Sequence, residues 1–160
     1  MSDFSSLDFR SALGHFATGV CLVTAVDKAG KPQTVTVNSF SSVSLEPPLV
    51  LWSVQKDSDV YDLFCAAEAF AIGVLTRDQE SHSSYYAQKD CHLLADEHFL
   101  PGDNGAPLIR DALVNFECTL QEAIDGGDHT ILLGRVTRLV PGKADAAPLV
   151  FYAGEYRSLK

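Results

Sequence analysis

Polar and apolar positions alternate cleanly along 34-TVTVN-38, with Val35 and Val37 on one face and Thr34, Thr36 and Asn38 on the other. That period of two is the signature of a β-strand. The alternation then slips: Phe40 takes the polar parity, while Ser39 and Ser41 take the apolar one. Asn38, Ser39, Ser41, Ser42 and Ser44 crowd seven residues, shortly before Pro47–Pro48 stop the segment. Upstream, 20-VCLVTAV-26 is a β-branched apolar run followed by the turn signal DKAGKP, so 20–42 reads as an antiparallel hairpin.

The same patterning predicts a third strand at 49-LVLWSV-54, a fourth at 70-FAIGVLT-76, and two long ones at 113–124 and 130–140 around the tight-turn signal DGGD. A last strand falls at 148–154, before a short tail. Helical spacing predicts a helix over 5–17, capped by Ser5 with Asp8 and ended by Gly19, and a short one over 58–67. Thr76-x-x-Gln79 opens a third, through about Gln88, whose polar and aromatic residues place most of it outside the deep core. Residues 91–107 read as loop. Strands linked by hairpins, with three short helices, imply an α+β, mainly β fold on an antiparallel barrel, one domain spanning 1–160.

The 160 residues suffice for one hydrophobic core, and 46% hydrophobic content fits a globular chain. The formal net charge of −9 argues against a nucleic-acid or anionic-membrane surface, since phosphate contacts need clustered Lys and Arg. No apolar run reaches the roughly 18–20 residues that span a bilayer, and MSDFSSLDFR lacks the features of a signal peptide, so a cytoplasmic location is expected. Cys21, Cys65 and Cys118 read as small buried hydrophobes. Cys91, His92 and His98 have no second pair to complete a metal-ligand spacing, so no structural metal is expected.

Rossmann, P-loop, nucleophile-elbow and zincin motifs are all missing. What remains is distributed. Thr36–Ser44 offers main-chain and hydroxyl groups near a bend. Gln55-Lys56-Asp57-Ser58 joins a strand end to a helix start, where free N–H groups, Lys56 and the Ser58 hydroxyl suit an anion; a plain N-cap is the alternative for Ser58. Asp128-His129 opens a strand after a hairpin, and His129 there is either structural or functional.

Six collinear pieces, 9-FRSALGHFATGVCLVTA-25, 35-VTVNSFSSVSLEPPLVL-51, 70-FAIGVLTRDQ-79, 116-FEC-118, 127-GDHTILLGRV-136 and 148-PLVFYAG-154, resemble the short-chain flavin reductases of the FMN-binding split-barrel superfamily. These are the reductase components of two-component flavin monooxygenases. The resemblance covers roughly residues 8–156. It implies a six-stranded antiparallel split β-barrel of Greek-key topology with short flanking helices, a homodimer, FMN or FAD as the flavin, and NADH or NADPH as co-substrate. It also implies a flavin-dependent monooxygenase as partner. By the family pattern, Thr36, Val37, Asn38 and Ser39 line the isoalloxazine and Ser42 lies toward the ribityl and phosphate side. Ser53 and Val54 are further cofactor-binding positions, Lys56 and Ser58 contact phosphate, Tyr152 stands beside the pocket, and His129 is the catalytic position near the rings. Where the family often carries two arginines after its fourth strand, 78-DQESHSSYYAQ-88 has Ser84 and Tyr85. A flavin-binding barrel without reductase activity, a carrier or sensor, is the alternative.

Overall fold

The computed structural model describes residues 2–160. In chain order the elements are α1 (Ser6–Leu13), β1 (Thr18–Gly19), β2 (Cys21–Val26), β3 (Pro32–Val37), β4 (Ser41–Ser44), β5 (Leu49–Gln55), α2 (Tyr61–Ala66), β6 (Ala69–Val74), α3 (Glu80–Tyr86), β7 (Phe99–Pro101), β8 (Pro107–Ile109), β9 (Val114–Gly126), β10 (His129–Pro141), β11 (Val150–Tyr152) and β12 (Glu155–Arg157). Seven strands form one antiparallel sheet in the order β3-β2-β6-β9-β10-β5-β4, beside the sheets β1-β11-β12 and β7-β8. The fold is thus mainly β with few helices. Its hydrogen-bonded ladder has seven strands where six were expected, and two edges, β3 and β4.

That order explains the broken alternation. The chain leaves β3 at one edge of the sheet and re-enters as β4 at the other, where Ser41 and Ser42 pair with Leu51 and Val50. The expected single strand through 42 is therefore two strands on opposite edges, with Asn38–Phe40 as the crossing. Parity also differs from expectation, because β3 is covered on both faces. Val35 and Val37 pack on the main core, while Thr34 is fully buried and its hydroxyl donates to the Val23 carbonyl at 2.9 Å.

The continuous apolar run of β2 has the same cause. Cys21, Val23 and Ala25 join Trp52, Phe64, Phe70 and Leu132 in one core, and Leu22 joins Leu75, Tyr86, Ile109 and Leu149 in a second on the opposite face. A strand with two buried faces needs no polar parity. Burial pushes the Cys21 and Cys118 thiols up to about 12; Cys65 is only half-buried.

Several helix and loop boundaries move. The Ser5/Asp8 capping box forms, but α1 ends at Gly14 rather than Gly19 and buries none of its residues. The second helix starts at Tyr61, three residues after Ser58. The third has the Thr76/Gln79 capping box, yet Gln79, Ser83 and Tyr86 are buried, because distant segments supply polar partners: Arg110 O accepts from Gln79, the Tyr156 hydroxyl pairs with Ser83, and the 91–98 segment partners Tyr86. The Tyr86 hydroxyl sits 2.7 Å from His98 Nδ1 and accepts the Ala95 N–H at 3.1 Å. The supposed loop 91–107 contains the β7–β8 hairpin, and the tail folds back as β12.

Trp52 is fully buried, edge-on to Phe64 and Phe70 at 4.9 and 6.1 Å between ring centroids. Trp52→Ala leaves a cavity at the centre of the main core and lowers stability by about 3–5 kcal/mol, to be read as a shift of the urea midpoint.

Candidate functional site

What covers the free edge of β3 changes along its length. The Leu94 N–H donates to Pro32 O at 3.0 Å, and the Thr34 N–H donates to His92 O at 2.8 Å. The main-chain groups of Thr34 therefore point away from β2, and strand alternation turns those of Thr36 the same way. The covering segment reaches no further than Thr34. Beyond it, Thr36, Val37 and Asn38 border a cleft with two lobes of about 210 Å³ each.

One lobe is polar, lined by Ser39, Ser53, Gln55, Ser58 and His129. Register assembles it. On β5, Val50, Trp52 and Val54 are buried, so Ser53 and Gln55 take the opposite face, and His129 stands directly across from Gln55. Gly127, with φ +80°, supplies the left-handed turn that starts β10 at that height. Ser39 ties the lobe shut: its hydroxyl accepts the Ser53 N–H at 3.0 Å and donates to Ser53 O at 3.3 Å. The other lobe is bounded by Val20, Ser83, Ala87, Phe151 and Tyr156, with the Tyr156 and Ser83 hydroxyls 2.6 Å apart. Between them, the Thr36 hydroxyl donates to Ser83 O at 2.8 Å, fixing α3 against β3.

The side chain of His129 is 41% exposed, and its Nδ1 lies 2.7 Å from Asp128 Oδ1. A carboxylate only accepts, so Nδ1 carries the hydrogen and Nε2 is left for other contacts. The hydrogen bond to His129, then the imidazole's charge, holds the Asp128 carboxyl below its usual range.

Of the eleven residues singled out, seven border the cleft: Thr36, Val37, Asn38, Ser39, Ser53, Ser58 and His129. Four do not. Val54 points into the core by strand parity, leaving only its main chain near the site. The Lys56 ammonium pairs with Asp125 at the hairpin tip. Ser42 lies on β4, along a separate apolar groove of about 490 Å³ with Phe40, Leu45 and Phe116. Tyr152 is exposed with its ring 6.4 Å from His15, and its neighbour Phe151 takes the cleft position. No helix terminus stands at Ser58 either, since α2 is six residues long and its N-cap is Val60. Gln55, Ser83 and Tyr156 went unrecognised. Gln55 was legible from the parity of Ser53, whereas Ser83 and Tyr156 carry no local signal. Ser84 and Tyr85, which stand where the family often has arginines, are exposed on α3.

The family description "Flavin reductase like domain" matches residues 13–160, and the chain belongs to that family. It is 44% identical over 152 residues to the FMN reductase (NADH) SmoA of Agrobacterium fabrum, covering 95% of this chain and 85% of the relative. It is 34% identical over 152 residues to the flavin-dependent monooxygenase reductase subunit HsaB of Rhodococcus jostii, covering 95% and 77%. Two relatives in Rhizobium meliloti, 44% and 40% identical, are longer, and the chain spans 43% and 58% of their lengths. Among solved structures, the NADH:FAD oxidoreductase SgcE6 of Streptomyces globisporus, in complex with NAD and FAD fragments, superposes with a TM-score of 0.87 at 36% identity, covering 96% of this chain and 92% of that one.

The hydrogen bond with Lys56, then its charge, lowers the Asp125 pKa, and the same hydrogen bond raises that of Lys56. A depressed carboxyl favours the folded hairpin above its unfolded pKa, and that contribution is lost as pH falls through the folded value. Lys56→Ala therefore raises the Asp125 pKa toward the ordinary carboxylate value, measurable by carboxyl-carbon NMR titration.

Proposed function

We propose that the two-lobed cleft is the flavin site of an NAD(P)H-dependent flavin reductase that takes FMN or FAD and supplies reduced flavin to a monooxygenase partner. The observation that carries this reading is the uncovered edge of β3. At Thr36 a main-chain donor and acceptor project side by side into a cleft with polar and aromatic walls. Their spacing suits the alternating donors and acceptors along a flavin's pyrimidine edge, and the two lobes together fall within the range of small-molecule sites, about 300–1,000 Å³. The relatives named above are reductases of FMN and FAD, and one is a monooxygenase reductase subunit.

Bound flavin supplies a two-electron acceptor for hydride from a reduced nicotinamide. The protein's part is positional and electrostatic. The Thr36 N–H on the free edge is placed to stabilise negative charge that develops on the ligand. The hydroxyls of Ser53 and Ser58 provide polar contacts for the ribityl and phosphate portion. His129, steadied at Nδ1 by Asp128, presents Nε2 for orienting the nicotinamide. No side chain has to move a proton at the reacting centre.

Two further features belong to this reading. The chain is one domain whose sheet rolls into a split barrel of β2, β3, β5, β6, β9 and β10. Its seam is the Ser39–Ser53 contact, just past the part of β5 that β4 covers. The chain pairs as a homodimer through the apolar groove along β4 and β10, where Leu45 is 94% exposed and Leu139 60%.

The purified protein, mixed with FMN or FAD and with NADH or NADPH in turn, oxidises the nicotinamide. Bound flavin without nicotinamide oxidation would instead indicate a carrier. His129→Ala lowers kcat about tenfold while the flavin Kd changes less than about twofold; full turnover in that variant removes His129 from the mechanism. Leu45→Glu converts the dimer to monomer in sedimentation velocity.

A further inference from the structure

His92 is buried between two acceptors. Its Nδ1 lies 2.9 Å from the Thr34 carbonyl oxygen, and its Nε2 lies 2.8 Å from Asp59 Oδ1. A carbonyl oxygen accepts and does not donate, so Nδ1 carries a hydrogen. An ionised carboxylate likewise only accepts, so Nε2 carries one as well, and the ring is an imidazolium. The second oxygen of Asp59 accepts the Asp90 N–H at 2.8 Å. Asp90 itself has φ +62°, a left-handed conformation that aims this N–H into the bridge. Burial acts to raise the Asp59 pKa, but the Asp90 N–H and the charge of His92 outweigh it and hold the carboxyl below its usual range.

The ends of this bridge matter more than its middle. Thr34 lies two residues before Thr36, where the free edge of β3 begins, and Asp59 directly follows Ser58 in the polar lobe. These two walls come from different parts of the chain. The main-chain hydrogen bonds of the loop at 56–60 run within it, to α2 and to the turn before β10: Ser58 N–H to Gln55 O (3.1 Å), Tyr61 N–H to Ser58 O (3.1 Å), Phe64 N–H to Val60 O (3.1 Å) and Lys56 N–H to Asp128 O (2.9 Å). Val60 is buried in the main core, and the hydrogen-bonded route from this loop to β3 runs through Asp59 and His92. The ionised group facing the ring is Asp59; β3 presents a carbonyl, and the ring's own segment contributes Asp90 through its N–H.

We propose that His92 is a positioning residue of the flavin site, an imidazolium clamp that sets the separation between the Ser58 wall and the Thr36–Ser39 strand. The proposal rests on the flavin-site reading above. The clamp touches no reacting atom, so it governs flavin affinity more than turnover at saturating flavin.

The test is flavin affinity, read by quenching of FMN fluorescence, with kcat measured beside it. His92→Phe keeps the ring volume and removes both donors. The expected result is an FMN Kd raised about tenfold with kcat at saturating FMN within about twofold. Asp59→Asn keeps an acceptor but removes the carboxylate that faces the ring, so its FMN Kd rises about threefold or more while kcat at saturating FMN stays within about twofold. A folded His92→Phe protein with unchanged Kd overturns the clamp. If His92→Phe does not fold, Asp59→Asn decides: an FMN Kd at the wild-type value overturns the proposal, and a raised Kd with kcat unchanged upholds it. Wild-type protein that does not bind FMN overturns the flavin-site reading itself, an outcome separate from wild-type binding that the variants leave untouched.

Discussion

The contact between Ser39 and Ser53 is the constraint on which the site depends. The chain must leave β3, at one edge of the seven-stranded sheet, and reach β4 at the other. Ser39 is where it crosses, and its hydroxyl both accepts from and donates to the main chain of Ser53. One short side chain therefore does what a ladder rung would do between two main chains. A regular rung here would have spent the polar groups of the crossing on sheet pairing. With the hydroxyl satisfying Ser53, whose unmet N–H and C=O would each be costly in a half-buried position, the groups at Thr36 stay available to a ligand.

The rest of the architecture holds that crossing at a fixed height. The main core, with Trp52, Phe64 and Phe70 at its centre, locks β5 and α2, while the second core, with Leu22, Leu75 and Tyr86, locks α3 and the 91–98 segment against the other face. The cleft lies where elements from both cores meet: Ser53 and Ser58 come with the first, and Ser83 and Tyr156 with the second. A small displacement of either core changes the width of the cleft, because its walls are carried on separately packed elements. Hydrogen bonds between walls, such as Thr36 to Ser83, limit that freedom.

The cleft residues of β3 and the crossing were legible because a flaw in a local pattern marks them. A strand that breaks into Asn38, Ser39 and Ser42 is unusual without a ligand or a bend, and a bend is what the structure has. Ser58 and His129 were legible through the order of motifs along the chain. The residues that lie away from the cleft do so for particular reasons. Val54 has the wrong parity for a cleft that Ser53 and Gln55 face. Lys56 has a carboxylate within reach on a hairpin tip 69 residues away in sequence. Ser42 sits past the crossing, on the opposite edge of the sheet, and Tyr152 is one residue out of step with Phe151.

Local periodicity thus specified β2, β5, β6, β9 and β10, the capping boxes at Ser5 and Thr76 and the tight hairpin at Gly127, because each depends on neighbours within a few positions. Composition set the class, since 46% hydrophobic residues and an acidic balance leave room for a core and little for nucleic acid. Which strand became an edge, which parity faced the cleft, and which polar residues were buried were decided only by the tertiary structure. Thr34, Ser83, His92 and Tyr86 look like surface residues in isolation, and burial is tolerated because partners distant in sequence satisfy their hydrogen bonds. A linear pattern does not contain those partners, since they meet only when β2, β3, α3, β12 and the 91–98 segment close on one another.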